Sequence, residues 1–218
     1  MKFKYLLFFL IIFLIAVIGL YFFQTKNSDK TFFISPLVEG NTLNVSAFSI
    51  ENAPSASLRG KITDMTGEIS WQGRLATEAA KIYSPVTIQQ GEKLITGEKS
   101  SLKLDFKAGC SVELSPQTEI EVIQTLPDNI VFSQNSGTAN YVKTGAYPVS
   151  VRISNLLVES DGEAIISIDP EDFLITLDLK SGSAIAAYND LDYLSHEIIV
   201  EAGETLSFND DTRKAVLK

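Results

Sequence analysis

From Leu58 to Lys218 polar and apolar positions alternate with a period of two. In "SSLKLDF" Leu102, Leu104 and Phe106 fall on one face, with Ser101, Lys103 and Asp105 on the other. "SVEL" continues with Val112 and Leu114 inward, and "TEIEV" turns Ile120 and Val122 in and Glu119 and Glu121 out. "PVSVRI" aligns Val149, Val151 and Ile153, and "EAIISI" aligns Ala164, Ile166 and Ile168. "FLITLDL" aligns Phe173, Ile175, Leu177 and Leu179, while "SAIAAY" and "ETLSF" add Ile185, Ala187, Leu206 and Phe208. Alternation over runs this short predicts half-buried β-strands. Turn residues separate the runs: Thr66-Gly67, Gln90-Gly91, Thr96-Gly97, Ala108-Gly109, Pro127-Asp128-Asn129, Ser136-Gly137, Asp161-Gly162, Ser181-Gly182, Ala202-Gly203 and Asn209-Asp210-Asp211. Many short strands with regular turn signals predict an all-β domain over residues 58–218, a β-sandwich or barrel-like roll. Only "RLATEAAKIY", Arg74 to Tyr83, has a helical composition, and it predicts one or two turns of helix ending before Ser84-Pro85.

The N-terminal pattern is different. Tyr5 to Phe23 is an uncharged apolar run of nineteen residues. As a helix it spans roughly 28 Å, close to the hydrocarbon thickness of a bilayer. A cleaved secretory signal has a shorter apolar region and a small-x-small cleavage site. This run ends Leu20-Tyr21-Phe22-Phe23 and no Cys follows it, so an uncleaved signal-anchor is the favoured reading. Lys2 and Lys4 flank its start, whereas Lys26 and Lys30 are partly offset by Asp29 on the far side. The positive-inside rule then expects residues 1–4 as a short cytoplasmic tail, 5–23 as one transmembrane helix of the inner membrane and the C-terminal domain outside. Residues 24–57, rich in Asn, Ser and Thr, are expected as an extracytoplasmic linker, with "TFFI" (Thr31 to Ile34) as an edge strand or juxtamembrane plug.

Charge and composition narrow the function classes. Three of the 27 acidic residues and four of the 18 basic ones precede Leu58, so the rest of the chain carries 24 acids against 14 bases, about −10. Such a surface argues against a nucleic-acid partner and against lying flat on anionic lipid. Cys110 is the only cysteine, which excludes an intramolecular disulfide framework and Cys-rich zinc sites. His196 is the only histidine, which excludes a multi-histidine metal site and argues against a Ser-His-Asp arrangement. Both are expected as structural residues, Cys110 in a turn or the core and His196 at a strand start. Acidic clusters occur in "IDPEDF" (Asp169, Glu171, Asp172) and "YNDLDY" (Asn189, Asp190, Asp192), without the spacing of a calcium loop. Solvated turn carboxylates are the expectation there. Trp71, Tyr83, Tyr141, Tyr147, Tyr188 and Tyr193 are candidates for a carbohydrate-facing surface, with core packing the alternative for Trp71. No phosphate loop or nucleophile elbow is present in the sequence, so no catalytic, metal-binding or cofactor-binding residue is assigned and no cofactor is expected.

One stretch is more specific. "GEKLITGEKSSLKLDFKAGCSVELSPQTEIEV", Gly91 to Val122, resembles the signature of the FecR family's extracytoplasmic domain. The matching positions are Gly91, Ile95, Thr96, Gly97, Ser100, Leu102, Leu104, Phe106, Gly109, Leu114, Pro116 and Thr118. The likeness extends more weakly over Leu58 to Phe208 and departs at Ala108-Gly109-Cys110, where the family usually shows Asp-Gly-Ser or similar. It implies a jelly-roll-like β domain outside the inner membrane, which in well-known members relays an outer-membrane signal to a cytoplasmic sigma factor. Such regulators touch the sigma factor through an N-terminal cytoplasmic domain, and residues 1–4 provide none. The expected function is therefore a membrane-anchored binding or interaction module at the envelope, sensor or adaptor, with an envelope protein or glycan as partner. Signalling to an extracytoplasmic-function sigma factor through a partner is the alternative, and an envelope glycan hydrolase with an acidic pair is a distant third. The repeated Gly-Glu-Lys of Gly91 to Lys99 is expected as turn chemistry. Gly91 and Gly97 would take positive φ, and the Glu and Lys side chains would be solvated.

Overall fold

The computed structural model describes residues 56–107 and 109–218. The expected tail (1–4), membrane helix (5–23) and linker up to residue 55 lie outside the described residues, as does Ala108. Every regular element among the described residues is a strand, so the domain is all-β. The first nine strands are β1 (Gly60–Thr66), β2 (Ile69–Gln72), β3 (Ala80–Ile82), β4 (Thr87–Ile88), β5 (Lys93–Thr96), β6 (Ser101–Phe106), β7 (Cys110–Leu114), β8 (Glu119–Leu126) and β9 (Asn129–Lys143). Eight more follow: β10 (Val149–Ile153), β11 (Leu156–Ser160), β12 (Glu163–Asp169), β13 (Leu174–Ser181), β14 (Ser183–Asn189), β15 (Ser195–Glu201), β16 (Thr205–Asn209) and β17 (Lys214–Leu217).

The strands form two sheets joined through β9. The first runs β4-β1-β6-β7-β9-β12-β13-β16-β17. The second runs β3-β2-β5-β8-β9-β10-β11-β14-β15. The N-terminal half of β9 pairs with β8 and β10 in the second sheet, and its C-terminal half with β7 and β12 in the first. The change of sheet falls at Gly137, whose φ of +76° suits a residue without a Cβ. A Cβ there would lie 2.5 Å from the Gln117 carbonyl oxygen, so the crossing is closed to any other side chain. Ser136-Gly137, expected as a turn between strands, is thus a bend inside one.

The inner faces of the two sheets share one core. Phe132 on the first half of β9 meets Tyr141 on the second half at 5.5 Å and Phe106 of β6 at 5.6 Å. Farther along, Tyr188 of β14 meets Phe208 of β16 at 4.9 Å. Leu102, Leu104, Phe106, Val112, Leu114, Ile120 and Val122 are all buried on the faces that the alternation predicts.

Beyond β9 the chain deals hairpins alternately to the two sheets. The hairpin β10–β11 joins the second, β12–β13 the first, β14–β15 the second and β16–β17 the first. Each tip holds one non-glycine residue with positive φ: Ser154, Phe173, Tyr193 and Arg213. They recur 19, 20 and 20 residues apart, a structural repeat with no matching residue type.

Three sequence expectations change. Arg74 to Tyr83 contains no helix: Ala76 N–H closes a turn on the Gly73 carbonyl, and Ala80–Ile82 pairs with Ile69–Trp71 as β3. An isolated ten-residue helix gains little by itself, and a ready partner strand outcompetes it. Phe173 does not join Ile175, Leu177 and Leu179 in the core. It occupies a hairpin tip at φ +52° and is exposed, so the alternation starts one residue later. In β14 the faces are reversed: Ala184 and Ala186 are buried, while Ile185 is 44% exposed and Ala187 also faces outward.

Candidate interaction surface

The reversal in β14 has a physical origin. "SAIAAY" is apolar on both faces, so alternation alone cannot phase it. Tyr188 sets the phase by reaching across the sandwich to Phe208. Residues two and four before it, Ala186 and Ala184, must then point inward, and Ile185 and Ala187 outward. In the neighbouring β15, Val200 is buried and Ile198 packs on the core, which leaves Ile199 outward and 62% exposed.

Strand register assembles these side chains into two rows across the outer face of the second sheet. One row is Ser150, Glu159, Ile185 and Ile199; the next is Arg152, Leu157, Ala187 and Glu197. Leu157 is 45% exposed. Leu157, Ile185, Ala187 and Ile199 thus make an apolar centre flanked by Glu159, Glu197 and Arg152. Grooves lie to either side. One, about 380 Å³, is bordered by Arg152, Leu157, Ala187, Asn189 and Glu197; the other, about 330 Å³, by Lys143, Glu159, Asp161 and Ile185. Among the described residues β15 pairs on one side only, with β14, so its second edge is open to another strand except at Glu201, whose N–H and carbonyl bond Glu204.

His196 also lines the first groove, and it is paired with Asp190. Nε2–H of His196 donates to Asp190 Oδ2 at 2.8 Å, and the imidazole stacks on Tyr188 at 5.1 Å. Asp190 Oδ1 accepts the backbone N–H groups of Asp192 and Leu194, each at 2.9 Å. The His196 hydrogen bond first, and then the Leu194 N–H, hold the Asp190 carboxyl below its usual range. Ser195 Oγ donates to Asn189 Oδ1 at 2.8 Å, so the neighbouring hydroxyl is turned away from the imidazole. The pair ties down the β14–β15 loop, and among the described residues no hydroxyl or thiol hydrogen-bonds the imidazole.

The residues that carry the resemblance over Gly91 to Val122 lie elsewhere and make internal contacts. Thr96 and Thr118 are buried. Thr96 Oγ1 donates to the Ser115 carbonyl at 2.6 Å and accepts Thr118 N–H at 2.9 Å; Thr118 Oγ1 donates to the Thr138 carbonyl and accepts Thr138 N–H, each at 3.0 Å. Ser100 Oγ accepts Glu68 N–H at 2.7 Å. Leu102, Leu104, Phe106 and Leu114 are core, Ile95 is half-buried on the opposite face of β5, Gly109 N–H bonds the Phe106 carbonyl, and Pro116 opens the turn before β8.

Two readings of the Gly-Glu-Lys repeat are corrected. Gly91 has φ +83°, as expected, but Gly97 does not take positive φ and is instead small because Glu68 and Ser100 crowd it. Glu92 is not solvated: it is 6% exposed, and its Oε2 accepts Trp71 Nε1–H at 3.0 Å and Gln89 N–H at 2.9 Å. Trp71 is thereby committed to an internal contact, Tyr141 is buried and Tyr188 faces the core, so the candidate aromatics do not line one carbohydrate face. Cys110 is buried, which pushes its thiol up to about 12, with Asp105 a smaller cause. Among the described residues no group of three or more His, Cys, Asp or Glu side chains is placed to hold a metal. The apolar surface was the feature hidden from the sequence; its one trace was the surplus of Ile and Leu over what one inner face needs.

No family model matches the chain, and no curated protein matches it. Two crystal structures of a putative anti-sigma factor from Parabacteroides distasonis ATCC 8503 are similar at 15% identity. Their TM-scores are 0.47 and 0.49, and the match covers 58% of this chain and 58% of each of theirs. The chain thus spans less than two thirds of the length of these neighbours. A likeness of this extent speaks to neither function nor partner.

Proposed function

We propose that this protein is a single-pass, membrane-anchored, extracytoplasmic interaction module of FecR-like, jelly-roll type, and that it binds an envelope protein through the outer face of its second sheet. The observation that carries the reading is the coincidence of Ile185 and Ile199, paired and exposed, with the free edge of β15. An extended partner segment can add to that edge through backbone hydrogen bonds and cover the two isoleucines with its own side chains. The apolar run Tyr5 to Phe23 supports the anchor, and the acidic domain supports a partner that is neither nucleic acid nor anionic lipid. Binding rather than catalysis is favoured because the His196–Asp190 pair has no nucleophile aligned on it. The resemblance over Gly91 to Val122 keeps a second reading in play, sigma-factor signalling through a further partner.

The test is in-cell photo-crosslinking with the full-length chain, placing the photoreactive residue at Leu157, Ile185 or Ile199 and, as control, at Lys103 on the outer face of the first sheet. Discrete adducts from the three positions, lost when Ile185→Glu is added to the Leu157 and Ile199 probes, are expected. Adducts that are absent, or that form equally from Lys103, would overturn the binding reading. Recovery of the chain in the soluble fraction would overturn the anchor, and unchanged transcription from sigma-dependent promoters after deletion would remove the second reading.

A further inference from the structure

The hairpin tips of the C-terminal half meet at one end of the sandwich. Ser154 Oγ and Asn155 Nδ2 donate to the Asp210 carboxylate at 2.8 and 2.9 Å, Asp210 N–H donates to the Phe173 carbonyl at 2.8 Å, and Asn209 Nδ2 donates to the Asp172 carbonyl at 3.1 Å. Between these tips a slot of about 260 Å³ opens into the gap between the two sheets. Its walls are Ile153, Ile168, Pro170, Phe173 and Ile175.

The base of the slot offers no unpaired side-chain polar group. Gln134, only 1% exposed, is the polar residue at the bottom. Its amide donates to the Gly137 and Ile166 carbonyls at 3.0 and 3.1 Å, and its oxygen accepts the Tyr141 hydroxyl at 3.2 Å. With these groups occupied, the base offers an occupant van der Waals contact and little else. The size is below the roughly 300–1,000 Å³ of small-molecule sites and suits one large side chain. Phe173, 58% exposed at the mouth, supplies an aromatic ring for it to pack against.

Charge decides what carries that side chain. Asp169 and Asp210 line the slot, and Glu171, Asp172 and Asp211 lie on the same tips. Among the described residues none of these five carboxylates forms an ion pair. The donors found on Asp169 and Asp210 are hydroxyl, amide and backbone N–H groups, so no cation among them offsets either carboxylate. Arg213 is the cation on these tips, and it is turned to the Asp210 and Asn189 carbonyls. We propose that this slot is a second binding site, for a basic peptide segment of a partner protein that inserts one aliphatic or aromatic anchor while its Lys or Arg residues face the carboxylates. The site stands apart from the outer-face reading and survives its failure, since it uses none of Leu157, Ile185 or Ile199.

The test is an NMR and fluorescence-anisotropy titration of the full chain in zwitterionic detergent with three peptides: Lys-Arg-Phe-Lys-Arg, its Phe→Ser analogue, and Glu-Glu-Phe-Glu-Glu. Saturable binding of the first, about tenfold or more tighter than either analogue, is expected, with shifts at Ile153, Ile168 and Phe173. Phe173→Gly removes the ring at a backbone angle that glycine prefers, so the fold is retained and affinity should drop about fivefold or more. Asp172→Lys with Asp211→Lys, both exposed, should weaken binding similarly. Equal affinity for the Phe and Ser peptides, undiminished binding by Phe173→Gly, or shifts confined to Leu157, Ile185 and Ile199 would each overturn the proposal.

Discussion

Glu92 brings a carboxylate into a nearly buried position and satisfies it with one indole N–H and one backbone N–H. Truncation strands both donors, which costs more than the bond itself contributed. Glu92→Ala should therefore lower unfolding stability by about 1–3 kcal/mol, and Glu92→Gln, which keeps an acceptor oxygen, by less than half of that. Urea unfolding followed by fluorescence of Trp71, the only tryptophan, measures both. Asp190 gives a pH prediction. Its folded pKa is depressed, chiefly by the His196 hydrogen bond, so its contribution to stability is present above the unfolded carboxylate value and is lost as pH falls through the folded one. An NMR titration should place Asp190 below the usual carboxylate range, and His196→Ala should move it back toward that range. An unchanged midpoint in the variant would show that the Leu194 and Asp192 amides suffice. Neither role was legible from residue identity, because the partner lies 21 positions away from Glu92 and across a loop from Asp190.

At the scale of elements, alternation located most strands because each buries one face. It failed where that premise failed. The β9 strand is long enough to serve two sheets, and its Ser136-Gly137 mimics a turn in sequence while the backbone continues from its partners in the second sheet to those in the first. Gly137→Ala would require a left-handed backbone and a Cβ inside the contact distance of Gln117 and Thr118. A loss of at least about 2 kcal/mol is expected in urea or thermal unfolding. If the variant is as stable as the parent, the crossing tolerates a different backbone and the account of β9 is wrong. The twenty-residue ladder of hairpins escaped notice because Ser154, Phe173, Tyr193 and Arg213 share a backbone angle and nothing chemical. Repeats of conformation without repeats of composition leave no mark on a sequence.

Over the whole molecule one core joins both sheets, and Cys110 lies inside it. Burial pushes its pKa up to about 12, which keeps the thiol protonated near neutral pH, and also blocks access to it. Alkylation of Cys110 should follow global unfolding and report the same free energy as Trp71 fluorescence. Rapid labelling with an intact Trp71 signal would mean that the two sheets open separately. The sequence by itself determined the all-β class, most strand positions and the inward residues of β6 to β8, because those follow from period-two alternation and local turn chemistry. It could not determine which face of β14 is inward, where β9 changes sheets, or that Glu92 meets Trp71. Those depend on contacts between residues distant in the chain. Tertiary structure alone decided that the surplus apolar residues Leu157, Ile185 and Ile199 lie together on an open surface, because only Tyr188 reaching Phe208 across the core fixes the phase of a strand that is apolar on both sides.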